Sequence, residues 1–263
     1  MEQNRIDLGQ GAFVQAAGAS QLPTLQLRSS RFVSASLNAA PGASLTKPSS
    51  PQPPPLSPKV AGAVIYTVED QTFRRINAKW TIPNAYQVEG KDGEYTMWIG
   101  FNGTLKAGVD ATVTAGGETL RIFLELYGFR VYIPSFSIKP GDLISVFVEY
   151  DTTKSIPGTV SYGNEGAGTT TSLEFFAPDF LPLSGMYALE DVSPPSGALP
   201  DYGATFYWNI YAETSDPSTR EIRLYNLWEA RLLEDAPRST AKKVTESVLM
   251  FSAYGNSPQP IVV

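Results

Sequence analysis

Trp98-Ile99-Gly100-Phe101-Asn102-Gly103-Thr104-Leu105-Lys106-Ala107-Gly108-Val109-Asp110 reads as two short strands joined by a Gly-containing turn, and this stretch decides the fold. Side chains alternate across a strand, so Trp98, Gly100 and Asn102 share one face, and Lys106, Gly108 and Asp110 share one face of the next strand. Three polar groups, one aromatic ring and two glycines would then line a single concave surface. Glycines inside strands mark places where a ligand or another backbone comes close. An ordinary hairpin with a polar outer face fits the same pattern, and the stretch alone leaves both readings open.

On either side lie short apolar runs punctuated by turn residues. The expected strands are Val64 to Val68, Phe73 to Ile82, Tyr95 to Phe101, Leu120 to Tyr127, Leu143 to Tyr150, Ser172 to Phe176, Met186 to Asp191, Ala204 to Ala212, Glu221 to Trp228 and Val244 to Ala253. Turn signals such as Gly116-Gly117, Lys139-Pro140-Gly141-Asp142 and the Gly-rich run 163–168 separate them. Strands at this spacing indicate an all-β, two-sheet antiparallel sandwich or a barrel. Within 144–150, Ile144, Val146 and Val148 alternate with Ser145, Phe147 and Glu149, the pattern of a strand with one face on the core. Glu125 stands between Phe123 and Tyr127 in the same alternation, on a solvent rim or in a lined cleft. A helix over Trp228 to Asp235 and a strand ending in a loop are both compatible with that segment.

Composition narrows the chemistry. The 263 residues are 42% hydrophobic and 11% aromatic, enough for a substantial core rich in strand formers. Cysteine and histidine are both absent, which excludes disulfides, thiol nucleophiles, Ser-His-Asp catalysis and imidazole metal sites. We expect no metal and no cofactor. The net charge of -6 argues against nucleic acid as a partner. No apolar run approaches the length of a membrane-spanning helix, so no membrane partner is expected. The first residues lack the apolar segment of a secretory signal, and a cytoplasmic location is the expectation.

Residues 1–58 carry four basic and two acidic residues, net +2, which leaves -8 for the rest. The run Ser49-Ser50-Pro51-Gln52-Pro53-Pro54-Pro55-Leu56-Ser57-Pro58 favours extended, donor-poor backbone. We therefore expect a poorly ordered leader and Pro-rich linker over 1–58, with at most a short strand within 25–33, and a single β-sandwich domain over 59–263.

From Val60 to about residue 213 the chain resembles the glutamic peptidase (eqolisin) family through motifs kept in the same order. Trp80-Thr81-Ile82-Pro83 is similar to the family's Trp-x-Val-Pro, and Trp98-Ile99-Gly100-Phe101-Asn102-Gly103 to its Trp-Val-Gly-Ile-Asp-Gly. Leu105-Lys106-Ala107-Gly108-Val109-Asp110 resembles Leu-Gln-x-Gly-x-Asp, and Gly185-Met186-Tyr187-Ala188-Leu189-Glu190-Asp191 resembles Ala-Glu-Trp-Ile-Val-Glu-Asp. The resemblance implies a sandwich of the concanavalin A-like lectin/glucanase type with a cleft on one concave face. It also implies a dyad in which a glutamate acts as base toward water and a glutamine stabilises the oxyanion.

Both dyad positions differ here. The glutamine position carries Lys106 and the glutamate position Met186; a nearby aspartate is replaced by Asn102, and a later one is kept as Asp110. Methionine accepts no proton from water. Glu190 lies on the face of Met186 but about 13 Å along the strand, too far to stand in for the missing base.

The expected reading is a non-proteolytic relative whose cleft binds a small molecule, peptide or glycan through Trp98, Asn102, Lys106, Asp110, Glu125, Tyr127 and Met186. Three alternatives stay open. One is an isomerase, cyclase or lyase using Lys106 with Asp110 and Glu125; another is an acid endopeptidase with a relocated carboxylate; the last is an interaction module. Asn102-Gly103-Thr104 is also a formal glycosylation sequon, expected to be coincidental.

Overall fold

The computed structural model describes residues 5–17, 26–29, 59–68, 71–215, 221–233 and 238–253. In chain order the strands begin with β1 (Arg5–Gly9), β2 (Ala12–Ala16), β3 (Gln26–Ser29), β4 (Val60–Tyr66), β5 (Thr72–Thr81) and β6 (Gly93–Phe101). There follow β7 (Leu105–Thr114), β8 (Gly117–Leu126), β9 (Phe129–Tyr132), β10 (Leu143–Tyr150), β11 (Gly158–Asn164) and β12 (Thr169–Phe176). The last are β13 (Ser184–Asp191), β14 (Ala204–Ser215), β15 (Ile222–Tyr225), β16 (Arg231–Leu233), β17 (Ser239–Thr245) and β18 (Val248–Ala253).

They form two antiparallel sheets. One has ten strands in the order β1-β2-β12-β11-β10-β5-β14-β18-β17, with β15 also paired to β14; the other has eight, in the order β16-β4-β13-β6-β7-β8-β9-β3. The sandwich expectation holds. No helix among the described residues is long and apolar enough to cross a membrane.

Alternation sorts each strand into a core side and an outer side. In the eight-stranded sheet Ala61, Ala63, Ile65, Tyr95, Met97, Ile99, Phe101, Ala107, Val109, Tyr187 and Leu189 face the other sheet. From the ten-stranded sheet Ile76, Ala78, Trp80, Ile144, Val146, Val148, Tyr162, Phe175, Tyr207 and Phe251 meet them, and the alternation read in 144–150 is the one observed. Each of the Val, Leu, Ile, Met and Phe side chains among them contributes roughly 1.5 to 3 kcal/mol by leaving water. Trp80 and Tyr207 stack across β5 and β14 with ring centroids 4.7 Å apart.

Three buried tyrosines then tie sheet to sheet. Tyr162 donates to the Phe123 carbonyl at 2.5 Å, Tyr187 to that of Tyr211 at 2.8 Å and Tyr207 to that of Ala188 at 2.8 Å. Burial pushes the pKa of all three well above the ordinary tyrosine value.

Two expectations differ from what is seen. The fold does not start at residue 59: β2 pairs with β12, β3 pairs with β9, and Val14 is fully buried in the core. Phe13 stacks on Phe176 at 5.7 Å and Arg5 lies 3.6 Å from the Phe13 ring centroid, so this short, polar-looking segment gains enough apolar contact to close a sheet edge. The Pro-rich run 49–58 lies outside the described residues. At the other end, the described part of the segment left open between a helix and a strand ending in a loop, 228–233, forms no α-helix. A single 3-10 turn, Leu227–Glu229, is capped on both sides of a box, Asn226 Oδ1 accepting from the Trp228 N–H at 2.9 Å and Glu229 from that of Asn226 at 3.2 Å. The chain then extends into β16, which pairs with β4.

Candidate functional site

The outer face of the eight-stranded sheet carries three rows of side chains fixed by strand register. The first is Met186, Gly100, Lys106, Glu125 and Arg130; the second is Ala188, Trp98, Gly108, Phe123 and Tyr132; the third is Glu190, Thr96, Asp110 and Arg121. The sequence-expected residues Trp98, Lys106, Asp110, Glu125 and Met186 therefore share one surface. Val60, Val64, Trp98, Phe123, Tyr132, Met186 and Ala188 form its apolar floor, separate from the inter-sheet core.

Lys106 crosses this floor diagonally. Its Nζ lies 5.0 Å from the Trp98 ring centroid, 2.8 Å from Glu190 Oε2 and 3.7 Å from Glu125 Oε1. Register sets Glu190 two rows from Met186 and Lys106, as alternation expects. What that spacing missed is the length of the lysine, which reaches across two rows. The glycines explain the close backbone approach: a Cβ on Gly108 would sit 1.9 Å from the Met97 carbonyl oxygen, and one on Gly100 1.8 Å from that of Leu105. Of the two roles the sequence left open for them, the neighbouring strand takes the place.

A second set of charges adjoins the first. Arg130 holds Glu125 through Nε at 2.9 Å and Nη2 at 2.7 Å, and reaches Asp110 Oδ1 with Nη1 at 3.2 Å. Asp110 also accepts from Tyr132 Oη at 2.5 Å and Thr96 Oγ1 at 3.2 Å, and pairs with Arg121 at 3.6 Å. Burial opposes the Arg130 charge, but Glu125 and Asp110 outweigh it and hold its pKa above the ordinary arginine value. Burial, then Asp110, raise that of Tyr132. Three cations (Lys106, Arg121, Arg130) thus face three carboxylates (Asp110, Glu125, Glu190), net zero. Each carboxylate is engaged by at least one cation.

Other expected site residues have different tasks. Trp98 is fully buried beneath Lys106, so it offers no open ring face for stacking. Asn102 occupies the β6–β7 turn with φ 55°; its Nδ2 donates to the Leu181 carbonyl at 2.5 Å, and its Oδ1 accepts from the N–H groups of Leu183 and Ser184 at 2.9 and 3.0 Å. It fastens the start of β13, and the nitrogen a glycan would need is already engaged. Tyr127, φ 51°, is in the β8–β9 turn, where its ring meets Phe180 edge-on at 6.3 Å, away from the three rows.

Sequence reasoning passed over Glu190 as a partner and missed Arg130, Tyr132, Arg121 and Thr96. A hairpin about Tyr127-Gly128 sets Arg130 opposite Glu125, and counting across that turn would have found it. Among the described residues no group of three or more Asp or Glu side chains is placed to hold a metal ion.

The fold is similar to solved glutamic peptidases. Scytalido-glutamic peptidase with a transition state analog inhibitor gives a TM-score of 0.58 at 16% identity, covering 74% of this chain and 98% of that one. The same enzyme with a peptide-based transition state analog gives 0.56 at 15% identity, with 74% and 98% covered. SCP-B, a member of the eqolisin family in complex with the tripeptide Ala-Ile-His, gives 0.56 at 17% identity with the same coverage, 74% and 98%. No curated protein sequence matches the chain. The family model described as Peptidase A4 family matches residues 58–248, most of the chain, and the protein belongs to that family.

Proposed function

We propose that this protein is a non-proteolytic member of its family that binds a small molecule, peptide or glycan on the outer face of the eight-stranded sheet, a short peptide being the ligand best supported. The observation that carries the reading is the ion pair of Lys106 with Glu190 at 2.8 Å, beside Met186. A cation and a thioether occupy the positions that correspond to the dyad, and the cation neutralises the carboxylates nearest to it. The relatives SCP-B and scytalido-glutamic peptidase hold a tripeptide and a peptide-based analog, which supports a peptide as occupant here. A ligand carboxylate would compete with Glu190 for Lys106 and draw the ammonium off Trp98, opening the indole face to the ligand.

Two measurements test this. Incubation of the full chain with a denatured protein at about pH 3 to 5 is expected to give no cleavage; cleavage that disappears in Glu190→Gln or Glu125→Gln would mean that the base has moved and would overturn the reading. Ala-Ile-His is expected to raise the melting temperature of the chain and to lose that effect in Lys106→Met. Stabilisation that persists in the variant would put the peptide elsewhere.

A further inference from the structure

The ten-stranded sheet ends differently on its two sides. On one side β17 carries Lys242 and Lys243 and lies against β4 of the other sheet, so that edge is guarded. On the other side β1, Arg5-Ile6-Asp7-Leu8-Gly9, has neither lysine nor proline, and its Arg5 and Asp7 are exposed. Arg5 rests on the Phe13 ring and Asp7 accepts from the Gly9 N–H at 2.8 Å; neither is in an ion pair among the described residues.

Register shows which backbone groups of β1 are free. The Ala17 N–H donates to the Ser172 carbonyl at 3.1 Å, which makes these two a hydrogen-bonded pair at the end of the β2–β12 ladder. Bonded and non-bonded pairs alternate along an antiparallel ladder, so Phe13 and Gln15 also turn their N–H and C=O toward β12, while Val14 turns its own toward β1. Val14 stands opposite Ile6. Ile6 therefore gives its backbone groups to β2. Arg5 and Asp7, one residue to either side, direct theirs outward, where no strand among the described residues receives them. The ladder is regular over these three residues and slips only between Asp7 and Gly9.

We propose that β1 pairs edge to edge with β1 of a second copy of this chain, joining the two ten-stranded sheets into one. Antiparallel copies related by a two-fold axis through Ile6 oppose Arg5 of each to Asp7 of the other, at the positions whose backbone groups are free. Each such pair exchanges both backbone bonds and sets opposite charges across the seam. Sliding one copy by two residues would oppose Arg5 to Arg5 or Asp7 to Asp7, so charge selects the register. At the centre Ile6 meets its counterpart as a non-bonded pair, the kind whose side chains come closest. Ile6 packs against the inter-sheet core, so the contact extends that core from one copy to the next. The seam is short, and association is accordingly weak and reversible. It lies on the sheet opposite Lys106 and does not depend on the peptide reading.

Sedimentation equilibrium of the full chain, taken up to about 1 mM, tests this. The mass is expected to rise with concentration from one copy toward two. Arg5→Asp and Asp7→Arg, both at exposed positions, each set like charges across both contacts and are expected to weaken association at least about tenfold when measured alone. An equimolar mixture of the two variants opposes unlike charges again and is expected to associate as the original chain does. A single-copy mass throughout would overturn the proposal, as would association unchanged in the single variants or a mixture that does not recover it. The chain has no cysteine, so Ile6→Cys gives a second readout. Air oxidation is expected to link two copies through the centre of the seam at least about tenfold faster than it links Thr240→Cys, on the guarded edge, and equal rates would also overturn it.

Discussion

Replacing Lys106 by Met tests the centre of the site. Among the described residues Lys106 is the ion-pair partner of Glu190, at 2.8 Å, and the Glu190 side chain is 8% exposed. Glu125 keeps Arg130 when the lysine is lost, so the damage falls on Glu190. Leaving one buried carboxylate uncompensated costs about 3 kcal/mol. For a domain of this size that corresponds to a melting temperature lower by about 6 to 12 °C. Glu190→Gln alone leaves Lys106 with Glu125 at 3.7 Å and costs less, about 1 to 2 kcal/mol. Lys106→Met with Glu190→Gln removes both charges at nearly constant volume and recovers about 2 kcal/mol relative to the sum of the two single changes. Urea unfolding of the four proteins at neutral pH measures this coupling. Additivity within about 0.5 kcal/mol would mean that the two groups do not meet, and the account of a neutralised site would fail with it.

Gly108→Ala places a methyl 1.9 Å from a neighbouring carbonyl oxygen and is expected to cost about 3 kcal/mol or prevent folding, whereas Gly166→Ala, with its nearest atom at 3.6 Å, changes stability by less than about 0.5 kcal/mol; thermal melts compare them. Asn102→Ala removes the fastening of β13 and costs about 2 kcal/mol, and the sequon is expected to stay unmodified on secretion from a glycosylating host, as intact mass would report. Tyr95, Tyr162, Tyr187 and Tyr207 have folded pKa values raised by burial. The folded state therefore holds their protons longer than the unfolded state does, and their contribution is complete below about pH 10 and lost above it, at roughly 1.4 kcal/mol per pH unit for each. Alkaline titration should show their ionisation at 295 nm coinciding with loss of the far-ultraviolet dichroism; ionisation of all tyrosines in a chain that remains folded would refute this.

Much of the sandwich was legible because period-two alternation depends on the strand alone, and Ile144, Val146 and Val148 went inward as written. The terminal strands were not, since β1 and β2 owe their place to partners distant in sequence, Phe176 and Leu173 among them. At the site, backbone register correctly brought Trp98, Lys106, Asp110, Glu125 and Met186 to one face. Two things lay beyond it. Residues in left-handed turns, Asn102 and Tyr127, leave the alternation entirely. Long side chains ignore it, so Lys106 meets Glu190 two rows away while Trp98 disappears beneath the lysine.

Positions 106 and 186, which the sequence resemblance aligns with the family's dyad, also act together on charge. With glutamine at 106 and glutamate at 186, as the resemblance to glutamic peptidases would have them, the cluster would hold Arg121 and Arg130 against Asp110, Glu125, Glu190 and the glutamate, a net of -2. With Lys106 and Met186 the ion-paired cluster on this face holds three of each sign, net zero. Crowded carboxylates hold one another's protons, which keeps one of them un-ionised until late and suits catalysis in acid; an added cation and a lost carboxylate remove that crowding. Restoring one position is then insufficient. Lys106→Gln brings the cluster to -1 but supplies no base at 186, so it is expected to weaken the fold around Glu190 without producing cleavage of denatured protein at about pH 3 to 5. Cleavage by that single variant would show that a carboxylate already on this face, released from its lysine, suffices as the base.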